Sequence, residues 1–522
     1  MKLDRRRRAS ALAVLLLAVA SFGNAFALTD EEIFREFRFN FVSPGAHALG
    51  LGGAYISAAT DATAAEANPA ALQYVSKKQI FVEFRESQPA STFLQPSSGE
   101  PFGDNAVGST ETFANFLIVN NQEDRSFPSF ASFVLPFRMG QHRATVALSR
   151  QVVLDTQSSL TLGENGTFFD VSLPSFPNVV VPGDFPNPPT TERYVVSNTV
   201  EGALDAELVH YNLGFSISLH QDFSLGLTAT LAELSMDSLV DSTVVDPFPV
   251  LDSIHPRIGN PGEMSDIKFR STIDDESDTD LAYTVGLHWH PDSVFPDGVS
   301  PVRFGLVYRK GAELAVDQVF EELKLNPDTG TFESVSQGVL NAFDNVLKVP
   351  DRWGVGASYH GPRHWLLSAD LERIQYSDLL DDFEKGINFF TNPELFQFPE
   401  TNLPNLDELV FDVDDATVVR VGAEYSFISR GTWQHALRLG YFNAPDNKIA
   451  LSRIEDEDVD DLVEDIFLDL FRPGEDIDHF TVGFTLGVPG GVQFQFAGDF
   501  SDDVDEFVAS VIYQFGKTVL GR

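Results

Sequence analysis

The sequence predicts an all-β protein: a 14-stranded antiparallel transmembrane β-barrel with an N-terminal plug inside its lumen. Three observations lead there. Runs of about nine residues alternate large apolar side chains with small or polar ones, the pattern of a strand with one greasy face. The connections between the runs are sorted, short within pairs and long between pairs, as in membrane barrels. A secretory signal precedes them, and no later window holds the ~18 consecutive apolar residues of a transmembrane helix.

Taken in order, Arg5-Arg-Arg-Arg8 leads into an apolar run from Ala9 to Ala20 and then Asn24-Ala-Phe-Ala27. A basic head, a greasy centre and a small-residue end make residues 1–27 a signal peptide cut after Ala27. The usual companions of a twin-arginine signal are missing, so the general secretory route is expected. The chain carries a charge of −42, and loss of residues 1–27, with five cations and one anion, makes it −46. Such acidity excludes nucleic acid as a partner, because that affinity rests on cations meeting phosphates. The sequence has no cysteine, which excludes disulfides and thiolate metal sites. The acidic runs Asp274–Asp280 and Glu455–Asp461 read as solvated faces or loops, with a divalent-cation role as the lesser alternative.

Residues 28–77 form the expected plug. Ser43-Pro-Gly-Ala-His-Ala-Leu-Gly-Leu-Gly-Gly-Ala-Tyr55 is poor in charge and rich in small residues. Gly50, Gly52 and Gly53 are too close together for a stable helix or strand, and Asn68-Pro69 marks a turn. Composition alone leaves a glycine-rich linker as an equal alternative; the barrel that follows favours a plug. In a plug, the three glycines would let backbone touch the wall, and Pro69 would fix the anchoring turn.

The wall follows at 78–516. A first strand near 79–85 is followed by pairs at 130–137 and 143–150, 211–219 and 223–231, 281–290 and 301–309, and 351–359 and 365–372. Further pairs fall at 417–427 and 436–442, then 480–486 and 492–500, with a last strand at 507–515. That makes fourteen, an even count that leaves both ends on the periplasmic side. Strand-like text at 111–119 and 192–201 is assigned to loops or strand extensions, with sixteen strands as the alternative count. The long connections 232–280, 310–350, 373–416 and 443–479 are expected together on the external side. Within them, Val335–Leu347 and Val459–Leu470 show helical spacing and predict two loop helices. Residues 517–522 are a short tail.

Catalytic constellations are lacking, and no enzyme activity, cofactor or metal is expected. His360-Gly-Pro-Arg-His364 has the H-x-x-x-H spacing, but Gly-Pro makes it a turn with two exposed imidazoles. His288 and His290 face the lumen without a third ligand. Asn326-Pro-Asp-Thr-Gly330 is a plain turn. Strand parity turns Arg303, Arg420 and Arg438 into the lumen, where a guanidinium could hold a carboxylate head group through two parallel hydrogen bonds. Pairing with lumen acids such as Glu424 and Asp370 is the structural alternative.

Pro44-Gly45, Leu49-Gly-Leu-Gly-Gly-Ala-Tyr55, Asp61 and Asn68-Pro-Ala-Ala-Leu72 together resemble the hatch of the FadL-type outer-membrane transporters of long-chain fatty acids and other hydrophobic compounds. The resemblance continues in order through Phe133–Phe137, Val302–Tyr308, Val349–Ala357, Trp365–Leu371, Val421–Tyr425 and Leu437–Phe442. It implies fourteen strands and a monomer in the bacterial outer membrane, with hydrophobic small molecules as ligands and membrane lipids around the wall. It also implies insertion by the barrel-assembly machinery, whose C-terminal signal Phe507–Phe515 resembles. In such a protein the hatch residues would gate passage, with Phe41 the best counterpart of the segment that enters the ligand pocket. Helices in the external loops would form a groove that first catches the ligand. PorV-like barrels share a similar Gly-rich, Asn-Pro-Ala signature, so a role in protein secretion is the alternative.

Overall fold

The computed structural model describes residues 39–89, 92–94, 118–122, 124–162, 167–171, 192–245, 267–295, 299–326, 329–380, 409–429, 433–445, 448–454, 473–474, 476–502 and 504–519. The expected signal peptide, Phe34 and Phe37 of the plug, and the expected helix at 459–470 lie outside them.

Fourteen strands form the wall. They are β1 Lys78–Pro89, β2 Arg125–Met139, β3 His142–Leu162, β4 Glu192–Ser218, β5 Phe223–Val245, β6 Ile267–Trp289 and β7 Val302–Lys310. The circuit continues with β8 Arg352–His360, β9 Trp365–Ile374, β10 Ala416–Ser429, β11 Trp433–Ala444, β12 Ile477–Val488, β13 Val492–Phe500 and β14 Val504–Phe515. Each pairs antiparallel with its neighbours, and β1 closes on β14 from Lys78↔Phe515 to Pro89↔Val504. The ring is complete at fourteen, and the alternative of sixteen is not met. Closure leaves no edge with unpaired backbone groups, a condition for crossing lipid.

The alternation has the expected consequence. Leu213, Leu225, Leu227, Val419, Val421 and Phe484 point outward and are exposed, while Ser216, Ser224 and Thr228 point inward and are buried. Solvent-exposed leucines at this density form the apolar band of a membrane barrel.

Two expectations about the long connections are corrected. The stretch 232–280 is largely strand, because β5 runs on to Val245 and β6 begins at Ile267. The stretch 310–350 carries no helix among its described residues: Glu313–Asn326 pairs with Thr331–Lys348 as a rim hairpin. The hairpin keeps the register of β7 with β8, Arg309↔Arg352 below and Glu313↔Lys348 above. Its chain reverses at Gly330, whose φ is 68° and whose amide donates to the Asn326 carbonyl at 2.8 Å. Between hairpin and wall, Gly311 and Pro350 break the strands, since proline offers no N–H to a ladder. The residues at 192–201 extend β4, and Ile118–Gln122 is a short strand against the outer end of β3. Leu409–Asp412 and Ala450–Ile454 pair as a separate two-stranded sheet.

The plug fills the short-turn end of the lumen. It holds single helical turns at Ala46–Gly50 and Ala64–Ala67 and a 3₁₀ turn at Pro69–Tyr74. Its alanines and leucines pack with Phe81, Phe130 and Val134 of the wall in one buried cluster. Above the plug lies a second apolar cluster, built from the inner faces of β3 to β6, the rim hairpin and segments after β9.

Candidate functional site

The plug is seated by backbone contact and buried polar bonds. Gly52 has φ of 63°, and a Cβ there would stand 2.7 Å from the Tyr441 nitrogen and 3.0 Å from the Val421 oxygen of the wall. At Gly50 a Cβ would meet Gly483 Cα at 3.0 Å, and at Gly53 the Arg420 guanidinium at 2.9 Å. The wall answers with glycines of its own. A Cβ at Gly422 would meet Leu51 Cβ at 2.8 Å, and one at Gly305 the Ile56 oxygen at 2.7 Å. The small residues of the strand pattern are therefore sockets for the plug.

Polar side chains complete the seat. Gly45, at φ 103°, donates its amide to Glu83, a fully buried carboxylate that also takes Arg85 at 3.2 Å and the Ser129 hydroxyl at 2.7 Å. Pro44, just before it, is buried. Ala46 N–H donates to Ser510 Oγ at 3.0 Å, Gly52 N–H to Thr481 Oγ1 at 3.1 Å and Ile56 N–H to Asp370 Oδ2 at 2.8 Å. Asp61 stays within the plug, accepting from Thr63 N–H at 3.0 Å and from Tyr55 Oη at 3.2 Å.

Asn68 is extended, as a residue before proline should be, with Pro69 opening the 3₁₀ turn. Its side chain accepts from Ala70 N–H at 3.1 Å and donates to the carbonyls of Ile56 at 3.2 Å and Leu287 at 3.1 Å, the last on β6. Asn68→Ala strands these buried groups. It should cost the seating of the plug about 2 kcal/mol, read as faster leakage of small solutes from liposomes holding the variant.

Phe41 stands where the plug meets the upper apolar cluster. Its ring stacks on Phe39 at 5.3 Å, faces Tyr376 at 6.3 Å and lies under the Arg352 guanidinium at 4.0 Å. Around it are Val153, Leu208, Leu234, Ala282, Leu314 and Ile374, all buried. A polar cavity of about 50 Å³ adjoins the ring, bordered by Asn40, Glu66, Arg309, Gly311 and Arg352. Beside it the wall ladder is interrupted: β6 pairs with β7 as far as Tyr283↔Lys310 and meets the hairpin again at Thr272↔Val319. In between, Asp280 and Asp278 carboxylates accept the amides of Glu313 at 2.9 Å and Ala315 at 2.8 Å.

The three arginines selected by parity all lie on the inner face, but in different settings. Arg420 is buried, 3.4 Å from Glu372 and over the Phe442 ring at 4.9 Å. Arg438 is buried against Glu424 at 2.7 Å and Thr485 at 2.7 Å, and His47 of the plug reaches the same Glu424 at 3.0 Å. Arg303 lies at the short-turn end over the Tyr74 ring at 4.1 Å. The structure adds two guanidiniums that sequence reading missed. Arg309 is 3.1 Å and Arg352 3.5 Å from the buried carboxylate of Glu372. Arg309, Arg352 and Arg420 thus share one acid. Parity extended to the ends of β7 and β8 would have found Arg309 and Arg352; their gathering on Glu372 comes from three different strands.

Among the other motifs, His288 and His290 are buried on the inner face, and no metal-binding group of three occurs among the described residues. His364 is exposed in its turn, at φ 67°, whereas His360 is half-buried, against the expectation of two exposed rings. It lies on the inward face of β8 with buried Ser358, and the ladder runs on to it through its amide, which bonds the Pro301 carbonyl at 2.6 Å.

No protein-family model and no curated protein sequence matches the chain. Solved structures do. The P. putida toluene transporter TodX aligns with a TM-score of 0.50 at 12% identity, covering 91% of this chain and all of that one. A FadL homologue of Pseudomonas aeruginosa aligns with a TM-score of 0.50 at 12% identity, covering 94% of this chain and all of that one. With a closed ring of fourteen strands, a plug sealed into its short-turn end and an apolar lumen above, the chain has the fold of the FadL-type outer-membrane transporters.

Proposed function

We propose that the protein carries hydrophobic molecules passively across the bacterial outer membrane, that long-chain carboxylic acids are its preferred cargo, and that movement of the segment around Phe41 opens the way. The observation that supports this most is an apolar cluster in the lumen into which the chain's own Phe39 and Phe41 pack. An acyl chain would replace those rings in the same greasy surroundings, so the exchange keeps apolar surface out of water throughout. A carboxylate arriving with it would meet Arg309 and Arg352, two of three guanidiniums that share Glu372. Such fork-to-carboxylate pairing is strong and directional. TodX is a toluene transporter; the arginine group is the reason to favour an acid over a neutral arene here. Arg420 belongs to that group, while Arg438 is committed to Glu424.

Gating follows from competition. Phe41 and the ligand want the same space, so a ligand shifts the plug only by preferring the state in which Phe41 has left. Truncating the ring with Phe41→Ala removes the competitor and should raise fatty-acid affinity about tenfold. It should also slow release, so that uptake of a labelled long-chain fatty acid falls in cells whose barrel assembles normally by heat-modifiable gel migration. Unchanged affinity and unchanged uptake would sink the gate and favour the protein-secretion reading.

A further inference from the structure

Buried hydrogen-bond donors without partners gather at the short-turn end of the lumen, around the last turn of the plug. Tyr74 is the centre. Arg303 covers its ring at 4.1 Å, and His288 and His290 stand at 5.1 and 5.7 Å. His288 is fully engaged, with Nε2 3.1 Å from the Ser57 carbonyl and Nδ1 3.4 Å from Tyr74 Oη. Its neighbours are not. Arg303 Nη1 is buried without a hydrogen-bond partner, and among the described residues the guanidinium forms no ion pair. His290 is 8% exposed; its Nδ1 faces the Asp292 carboxylate, while its Nε2 has no hydrogen-bond partner. Gln73 Nε2, Arg143 Nε and His360 Nδ1 are buried and unpaired as well.

These groups belong to one locality. Gln73 and Tyr74 are consecutive, and Arg143 donates through Nη2 to the Val75 carbonyl at 2.6 Å. His288 and His290 are 6.0 Å apart, and Arg303 and Ser358, two residues before His360, face each other across β7 and β8. The acids nearby are largely occupied elsewhere. Asp222 takes the Ser293 amide at 2.8 Å and its hydroxyl, which hold it below the usual carboxylate range. Asp292 accepts the Ser300 amide at 2.7 Å through Oδ1, leaving Oδ2 3.3 Å from His290 Nδ1. Native proteins rarely leave buried donors unpaired, and a group of them on cationic and imidazole side chains suits an acceptor supplied from outside.

We propose that this cluster is an oxyanion site, in which Arg303 and His290, flanked by Gln73 and Arg143, hold a terminal carboxylate or phosphate against the last turn of the plug. Ion and plug are then linked: an anion bound between wall and plug holds Pro69–Tyr74 in place. The ligand chemistry is the same for a free phosphate and for the head group of a departing amphiphile, so the test separates them. It does not depend on the upper arginines, and its failure is distinguishable from theirs.

Full-length protein in detergent would be titrated with inorganic phosphate and with decanoate at constant ionic strength, following the thermal midpoint. Binding of at least one anion, weakened about tenfold by Arg303→Gln and unaffected by Arg373→Gln at the exposed pair with Asp415, is expected. Phosphate alone would mark a free-ion site, and decanoate alone a head-group station; either supports the proposal. Weakening by Arg352→Gln and not by Arg303→Gln would place the anion in the upper cluster and overturn it. A measurement without mutation stands beside these. Phosphate or decanoate should slow hydrogen exchange of the 70–75 amides in the unaltered protein, and no change with either anion would also overturn the proposal.

Discussion

Exchange of Glu372 for glutamine is expected to lower the stability of the empty barrel and to make a fatty acid its strongest stabiliser. The carboxylate is buried and takes Arg309 at 3.1 Å, Arg420 at 3.4 Å and Arg352 at 3.5 Å. Removing one partner of a buried ionic group leaves charge uncompensated, at about 3 kcal/mol or more. The amide keeps the volume, so packing is not the cause of the loss. A fatty acid can then supply the missing negative charge, and its affinity should rise about tenfold over the wild type. A fatty alcohol of equal length should gain nothing. Thermal unfolding with and without each ligand reads both effects together. Equal rescue by acid and alcohol would remove the arginine group from the head-group role.

Gly52→Val carries the second large effect. The residue sits at φ 63° with the Tyr441 nitrogen 2.7 Å from any Cβ. Left-handed backbone costs an L-residue about 1–2 kcal/mol, and overpacking adds about 1–3 kcal/mol. Those sums act on the plug's seat and not on the wall ladder, so the barrel should keep its heat-modifiable migration while conductance in planar bilayers rises. Gly140→Ala is the control. It has the same φ of 63° with open space around it, so strain without collision should leave conductance unchanged. Equal conductance of the two variants would show that Gly52 does not seal the plug.

The wall was legible because lipid on one side and a packed plug on the other force a period of two on every strand. Tyr211–Leu219 and Val421–Tyr425 can be read by eye for that reason. The rim hairpin was not legible. Once the wall clears the membrane, neither face has to be greasy, and Val335, Val339 and Phe343 fit helical spacing as easily as strand spacing. Gly311 and Pro350 also interrupt the alternation where hairpin and wall join, which disguises their shared register. Lumen-facing arginines followed from parity, but their partners did not. Arg438 meets Glu424 across a strand pair, while Glu372 collects guanidiniums from β7, β8 and β10. Parity names a face; it cannot say which height on the barrel two strands share. The plug's glycines suggested close contact, and only the folded wall reveals that Gly483 and Gly440 stand opposite Gly50 and Gly52 to receive them.

Closure of the ring sets a timetable for folding. β1 is the first strand made and β14 the last, yet they pair over twelve residues. Just beyond them Val519 of the tail donates its amide to Ser76 at 2.8 Å, next to the plug. The plug's own bonds run to Ser510 on β14 and Thr481 on β12, more than four hundred residues away in sequence. Contacts so distant form late, since the entropy of closing the loop is lost before they give anything back. Until the last three strands arrive, residues 39–77 have only half a seat, with Glu83 and Leu287 present but the Ala46 and Gly52 amides unmet. The plug is thus the last part of the molecule to set, and a nascent barrel stands open until its C-terminus is in place.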